Sequence, residues 1–471
     1  MYEELDRKLN RETGFKYPTI DSQRQARLLQ LAPGRTSLKP IYTLKVVDLE
    51  DMRGTHYKAL SYTWGKVDGR DDVREIRIDG QPFFIRRNLF DFFAEAVSRD
   101  EYGLFFIDAI CINQLDHRER QCQVQEMARI YRNASEVIAW LGLPDPAEVD
   151  NVQALSQVTN NPHGHCATWT SSQWEGFRYI SYHKIWSRIW IVQEVLLASS
   201  MTVWCGSCTF PLTLLGGISG REQGPETKFA LNGRPNSVMS AASRLRSPAQ
   251  NITGHRLRHV LQPLKDHTAQ GTSVGTMEEM MANLRKRSEK IVTYQSQVPD
   301  LLQVLRKFGK LDCSDPRDKL YGLLGLLDER TRAKVQPDYT KPVSYAYYQA
   351  LKIGLQELYG ERRGVIYPDQ WEGTVDSYLG YYCDARDAFG MEDGESLSIL
   401  RRVLDELDFQ SWARDAVFEM ETQQQFVWRD AEIGVYPDFK ELLKLAGRRE
   451  EVGEGWLFEF HSKQRRVVGN L

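Results

Sequence analysis

The run Leu104-Phe105-Phe106-Ile107, closed by Asp108, leads through a polar turn into a helical stretch from His117 to Asn133, then into a second apolar run, Val137-Ile138-Ala139-Trp140. Short apolar runs separated by a helix imply a βαβ unit with parallel strands. Asp116 is placed to cap the helix, and Glu119, three residues on, has the spacing of a capping box. Val124, Met127, Ala128, Tyr131 and Ala134 recur at helical spacing and form the stripe with which such a helix covers a sheet.

Outward from this unit the pattern repeats. Lys58-Ala59-Leu60-Ser61-Tyr62 is a further apolar run, and Asp79-Gly80 between Glu75-Ile76 and Phe83-Phe84-Ile85 predicts an appended β-hairpin. The expectation is an α/β fold, a mostly parallel sheet of about four or five strands flanked by helices, built from residues 41 to about 210. Residues 1–40 read as an extension with one short amphipathic helix around Gln23 to Leu31. Residues 216–297, rich in Gly, Ser, Asn, Arg and His, read as a variable insertion or linker. Helical patterns at 298–308, 320–327, 345–358 and 399–407 predict a largely α-helical region over 298–471. A chain of 471 residues fits two cores better than one.

The 61 basic and 64 acidic side chains leave a formal charge of -3, which disfavours a bulk nucleic-acid or anionic-membrane partner. A charged start, Glu3-Glu4-Leu5-Asp6-Arg7-Lys8, and no long apolar window lead us to expect no membrane span and a cytoplasmic location. Seven scattered cysteines suit a reducing compartment. Cys205 and Cys208 have metal-ligand spacing, with His163, His165 and Cys166 as further donors. Only one Cys-x-x-Cys pair exists, however, and buried thiols with no metal are the expectation. P-loop, dinucleotide-fingerprint, zincin and nucleophile-elbow motifs are absent.

Three ordered blocks carry a family resemblance. Tyr57-Lys58-Ala59-Leu60-Ser61-Tyr62-Thr63-Trp64-Gly65 resembles the opening signature of the fungal heterokaryon-incompatibility (HET) domain. Phe106-Ile107-Asp108-Ala109-Ile110-Cys111-Ile112-Asn113-Gln114, continuing to Trp140-Leu141-Gly142, resembles its central block, and Arg188-Ile189-Trp190-Ile191-Val192-Gln193-Glu194 its third. Asp315-Pro316-Arg317-Asp318-Lys319-Leu320-Tyr321-Gly322 is similar to the segment that commonly follows. The resemblance places a HET domain over residues 41–215. HET domains have been likened to TIR domains, which implies a flavodoxin-like sheet. Several TIR domains cleave NAD, which makes NAD or a related nucleotide a candidate substrate, with no resident cofactor. The implied biology is nonself recognition ending in cell death, with an unidentified protein partner or self-assembly as the trigger.

By the same resemblance Glu194 matches the catalytic TIR glutamate, although one extra residue separates Arg188 from Trp190. A carboxylate there would stabilise the oxocarbenium formed as nicotinamide leaves ribose. Asp108 ends a strand, where ligands of doubly wound sheets bind, so Asp108, Asn113 and Gln114 are candidate contacts to ribose or phosphate. Tyr62 and Trp64 could stack on a ring, and Trp190 is a further candidate binding residue. Each has a structural alternative: Asp108 as a cap, Asn113 as a turn former, the aromatics as core, Glu194 as the partner of Arg188 or as a helix cap. The two carboxylates are expected to meet at one cleft with Tyr62 or Trp64 on its wall. A non-catalytic module with the same fold is the alternative function.

Overall fold

The computed structural model describes residues 5–34, 40–158, 169–217, 301–360 and 381–407. Most of the expected insertion, residues 216–297, and the His163, His165 and Cys166 group lie outside them.

The first compact unit is built on one nine-stranded sheet. In chain order the strands are β1 (Gln25–Ala32), β2 (Ile41–Asp48), β3 (Tyr57–Tyr62), β4 (Val73–Ile78), β5 (Gln81–Arg86), β6 (Gly103–Phe106), β7 (Glu136–Trp140), β8 (Met201–Cys205) and β9 (Cys208–Pro211). In space they run β5-β4-β2-β1-β6-β3-β7-β8-β9. The contiguous stretch β6-β3-β7-β8 is parallel throughout, and β1, β5 and β9 pair antiparallel with their neighbours. The sheet is therefore mixed and wider than the four or five strands expected, because antiparallel ribbons extend both sides of a parallel core. Within that core the strands stand in the order second, first, third, fourth, which is the flavodoxin type of doubly wound sheet with its switch point between β3 and β7.

Helices α1 (Leu5–Thr13), α2 (Arg87–Ser98), α3 (Asp108–Cys111), α4 (His117–Asn133), α5 (Val149–Ser156), α6 (Ser171–Ser181) and α7 (Ile191–Leu197) accompany the sheet. Its core strands are buried on both faces, as their unalternating apolar runs require. Phe105 packs on Phe92 of α2, while its neighbour Phe106 points the other way onto Tyr131 of α4. Phe92 also meets Trp140 and Trp204, which ties α2 to three parallel strands. The expected hairpin is β4–β5, and Asp79 and Gly80 both take positive φ (51° and 76°), as a primed two-residue turn demands.

Two local readings are corrected. The stretch read as a helix at Gln23 to Leu31 is strand β1, paired with β2 along its length and with β6 on its other side. Ala26, Leu28, Leu29 and Leu31 are fully buried, and a short doubly buried strand has the same unbroken apolar look as a buried helical turn. Asp116 does cap α4, accepting from the amides of Arg118 and Glu119. The Glu119 carboxylate, however, does not close a capping box: it accepts from the Asn113 amide and pairs with Arg27. The stripe Val124 to Ala134 is buried as expected.

Residues 311–313 and 321–326 also cluster with the first unit. The Ile189 amide donates to the Asp312 carbonyl at 2.8 Å, and Gly325 lies so close to Gln193 and Ala128 that a Cβ would come within 2.4 Å of both. The second unit is helical where described, with helices Leu301–Phe308, Val343–Gly360 and Asp393–Glu406. Tyr381 donates from its hydroxyl to the Ala350 carbonyl, and the Tyr382 and Ser396 hydroxyls are bonded to each other.

Candidate functional site

Strands β3, β6 and β7 end side by side, and the chain leaves each through residues singled out by sequence: Thr63-Trp64-Gly65, Ile107-Asp108 and Leu141-Gly142. Asn88, in the first turn of α2, fastens two of these exits. Its amide donates to the Thr63 carbonyl at 2.6 Å, and the Trp140 indole N–H donates to its carbonyl and side-chain oxygens at 2.9 and 3.0 Å. Gly142, at φ 98°, passes so near that a Cβ would lie 3.2 Å from Asn88 Oδ1. Backbone and helix start thus approach closely at the switch point.

A cleft of about 680 Å³ opens there, lined by Thr63, Trp64 and Gly65 after β3, by Leu141, Gly142 and Leu143 after β7, and by the start of α2 and one side of α6. Lys66, Arg87 and Lys184 bring positive charge to it, and Asp91, Asp145, Glu148 and Glu175 bring negative charge. Glu175 is paired with Arg178. His183 also lines the cleft. Burial, aided by Lys184, pulls its pKa down to about 4, so the ring is neutral near pH 7. Its Nδ1 accepts from the Ile185 amide at 3.3 Å, which leaves the proton on Nε2.

A second cavity of about 190 Å³ lies beside it and contains four of the expected binding residues: Tyr62, Trp64, Asn113 and Gln114. Trp64 and Arg86 line both spaces and form the wall between them. The far side of the smaller cavity is α1. Asp108 lies directly behind Trp64, accepting from the indole N–H at 3.1 and 3.2 Å and from the Ala109 amide at 2.8 Å. Gln114 donates to the Asp108 carbonyl at 2.9 Å, while Asn113 Oδ1 accepts from the Leu115 amide in the turn.

Glu194 is 3% exposed and lines neither space. It accepts from the Ser61 hydroxyl on β3 and faces Arg188 Nη1 at 3.6 Å. Burial raises its pKa; Arg188 and the Ser61 bond oppose that, and Asp108 reinforces it. Asp108 is likewise raised by burial, opposed first by Arg188. The two carboxylates therefore share one electrostatic neighbourhood centred on Arg188, with the Tyr62 and Tyr131 hydroxyls kept protonated beside them by burial. The two carboxylates influence each other electrostatically in this buried neighbourhood, but neither Asp108 nor Glu194 lines either cavity, so the expected pair facing one cleft is not what the structure places there. Trp190 precedes α7, accepts from the Gln193 and Glu194 amides through its carbonyl, and lines neither cavity.

Sequence reasoning missed Asn88, Arg86, His183 and the whole of α1. None stands in a motif, and each reaches the site from a different element. Cys205 and Cys208 are register partners across the β8–β9 turn, and burial pushes the Cys205 thiol up to about 12. Among the described residues no group of three His, Cys, Asp or Glu side chains is placed to hold a metal, and no helix is long and apolar enough to cross a membrane.

This geometry can be set beside known proteins. Over 161 residues the chain is 30% identical to Heterokaryon incompatibility protein 6, OR allele, of Neurospora crassa, a match covering 31% of this chain and 23% of that protein, so about a quarter of the relative's length is spanned. No solved structure matches. The family model described as Heterokaryon incompatibility protein (HET) matches residues 57–194, from the first residue of β3 to Glu194 on α7. Those residues, with the switch point and the buried carboxylates between their ends, are the HET portion of this chain.

Proposed function

We propose that this chain is an effector of heterokaryon incompatibility, acting in nonself recognition and promoting cell death, and that its HET portion works as a signalling module governed by a nucleotide bound at the carboxyl edge of the sheet. The carrying observation is the 680 Å³ cleft at the β3–β7 switch point, the position where doubly wound sheets take ligands. Trp64 offers a ring, the cleft's cations offer charge to phosphate, and the neutral His183 offers an N–H. A protein partner, or a second copy of this chain, would then read the occupied state.

A second reading is hydrolysis of NAD or a related nucleotide, with Glu194 as the catalytic carboxylate. What favours it is the raised pKa of Glu194 beside Asp108, one strand-end from Trp64, since perturbed carboxylates gather at functional sites. What favours the signalling reading is that Glu194 is tied to Ser61 and Arg188 behind the wall. Incubating the purified protein with NAD and following nicotinamide release separates the two. The signalling reading expects NAD or ADP to bind with no release. Release that falls about a hundredfold or more in Glu194→Gln would establish hydrolysis, and failure of any nucleotide to bind would end both readings.

A further inference from the structure

The smaller cavity is closed by α1, and the way it is closed suggests what belongs there. Arg86, at the end of β5, is 7% exposed at its side chain. Its Nη1 donates to the Gly65 carbonyl at 2.7 Å, and its Nε donates to Asp6 Oδ2 at 2.9 Å. Asp6 comes from the first turn of α1, 80 residues earlier. The guanidinium also sits 5.2 Å from the centre of the Trp64 ring, and Arg7, the next residue of α1, sits 5.3 Å from the same ring. The side chains that α1 covers are thus an anion receptor, Arg86, and an aromatic surface, Trp64. Both are engaged by consecutive residues of one helix.

The rest of α1 rests on β5. Asn10 exchanges two hydrogen bonds with the Phe84 backbone, at 2.7 and 2.8 Å, and Phe15 follows with an edge contact on Phe83. No strand of the sheet is interrupted if the helix lifts. A buried guanidinium that loses a carboxylate partner is less well compensated, so lifting of the helix is favoured when another anion takes the place of Asp6. A planar group can then take the place of Arg7 on Trp64.

We propose that Arg86 and Trp64 form a binding site for a ring-bearing anion of the nucleotide class, and that α1 is its internal competitor, with Asp6 standing in for the ligand's anionic group. The inference rests on the reading that this edge of the sheet binds a nucleotide, and adds where the anion sits and what excludes it. The closed form scales apparent affinity down to the fraction of molecules in which α1 is not seated.

The test is ADP binding to the full-length chain by calorimetry, with hydrogen exchange over residues 5–13 read in parallel. Asp6→Asn removes the competitor's charge. Asn10→Ala loosens α1 without disturbing charge at Arg86, and guards against a loss of folding in the first variant. Both are expected to tighten ADP binding by about tenfold and to speed exchange over α1, and ADP itself should speed exchange over α1 in the unaltered chain. Arg86→Gln should abolish binding. If the unaltered chain binds ADP but neither α1 variant nor Arg86→Gln changes the affinity, the inference falls and the nucleotide reading of the larger cleft stands. If no variant and no unaltered protein binds ADP, both fall together.

Discussion

Two buried arginine–carboxylate pairs in the first unit differ in how completely they are made. Arg27 on β1 meets Glu119 on α4 through two parallel bonds, at 2.6 and 3.0 Å, with both side chains almost fully enclosed. Its Nε donates to the Pro18 carbonyl, its Nη1 also reaches the Cys111 carbonyl, and Tyr17 lies 4.8 Å away over the guanidinium. Glu119 takes the Asn113 amide as well. Arg188 meets Glu194 at 3.6 Å only, and its buried Nη1 makes no hydrogen bond. The first pair is a finished strut locking β1, α4 and the loop after α3 together. The second has slack, and it lies where the parallel strands end. Buried pairs repay their desolvation only with complete bonding, so the unfinished one is the place to look for work other than stability.

Cutting the strut should have the largest effect. Glu119→Ala leaves Arg27 buried and unpaired and is expected to cost about 3–5 kcal/mol, lowering the melting temperature by roughly 10 °C or more. Urea unfolding measures it, and a loss under about 1 kcal/mol would erase the distinction between the two pairs.

Arg188→Gln should come next, at about 1–3 kcal/mol near neutral pH, because Asp108 and Glu194 lose the same counter-charge. The penalty should shrink in acid, where both carboxyls are protonated and need no cation. An equal penalty at pH 4 and pH 8 would show that Arg188 acts by packing alone.

Smallest should be Glu194→Gln, within about 1 kcal/mol of the unaltered chain near neutral pH, since the amide keeps the Ser61 bond and sheds a poorly compensated charge. The sign of its pH dependence follows from the raised pKa. Between the ordinary carboxylate value and the higher folded one, the folded state holds more protons than the unfolded, so burial of Glu194 weakens the fold as pH rises through that window. Relative to the unaltered chain the variant should therefore gain stability as pH climbs above the usual carboxylate range. A difference that stays flat from pH 4 to 8 would mean Glu194 titrates normally.

Local pattern carried the parallel core, the Asp79-Gly80 hairpin, the Asp116 cap and the buried stripe of α4, because strand, turn and cap preferences are decided within a few residues of chain. It failed at β1, where burial on both faces removes the alternation that marks a strand, and at Glu119, whose capping-box spacing was overridden by a partner 92 residues away. Four of the candidate binding residues, Tyr62, Trp64, Asn113 and Gln114, do share one cavity, since all belong to the exits of adjacent parallel strands.

The sequence by itself determined the class of fold, the HET blocks and which residues stand at the strand ends, all matters of short-range pattern and of motif order. Tertiary structure alone decided which carboxylate meets which arginine, that Glu194 lies behind the cleft wall, and that Asp6 covers Arg86. The reason is physical: ion pairing and burial join side chains far apart in the chain, and neither propensity nor periodicity in a local window contains any term for the distance between them.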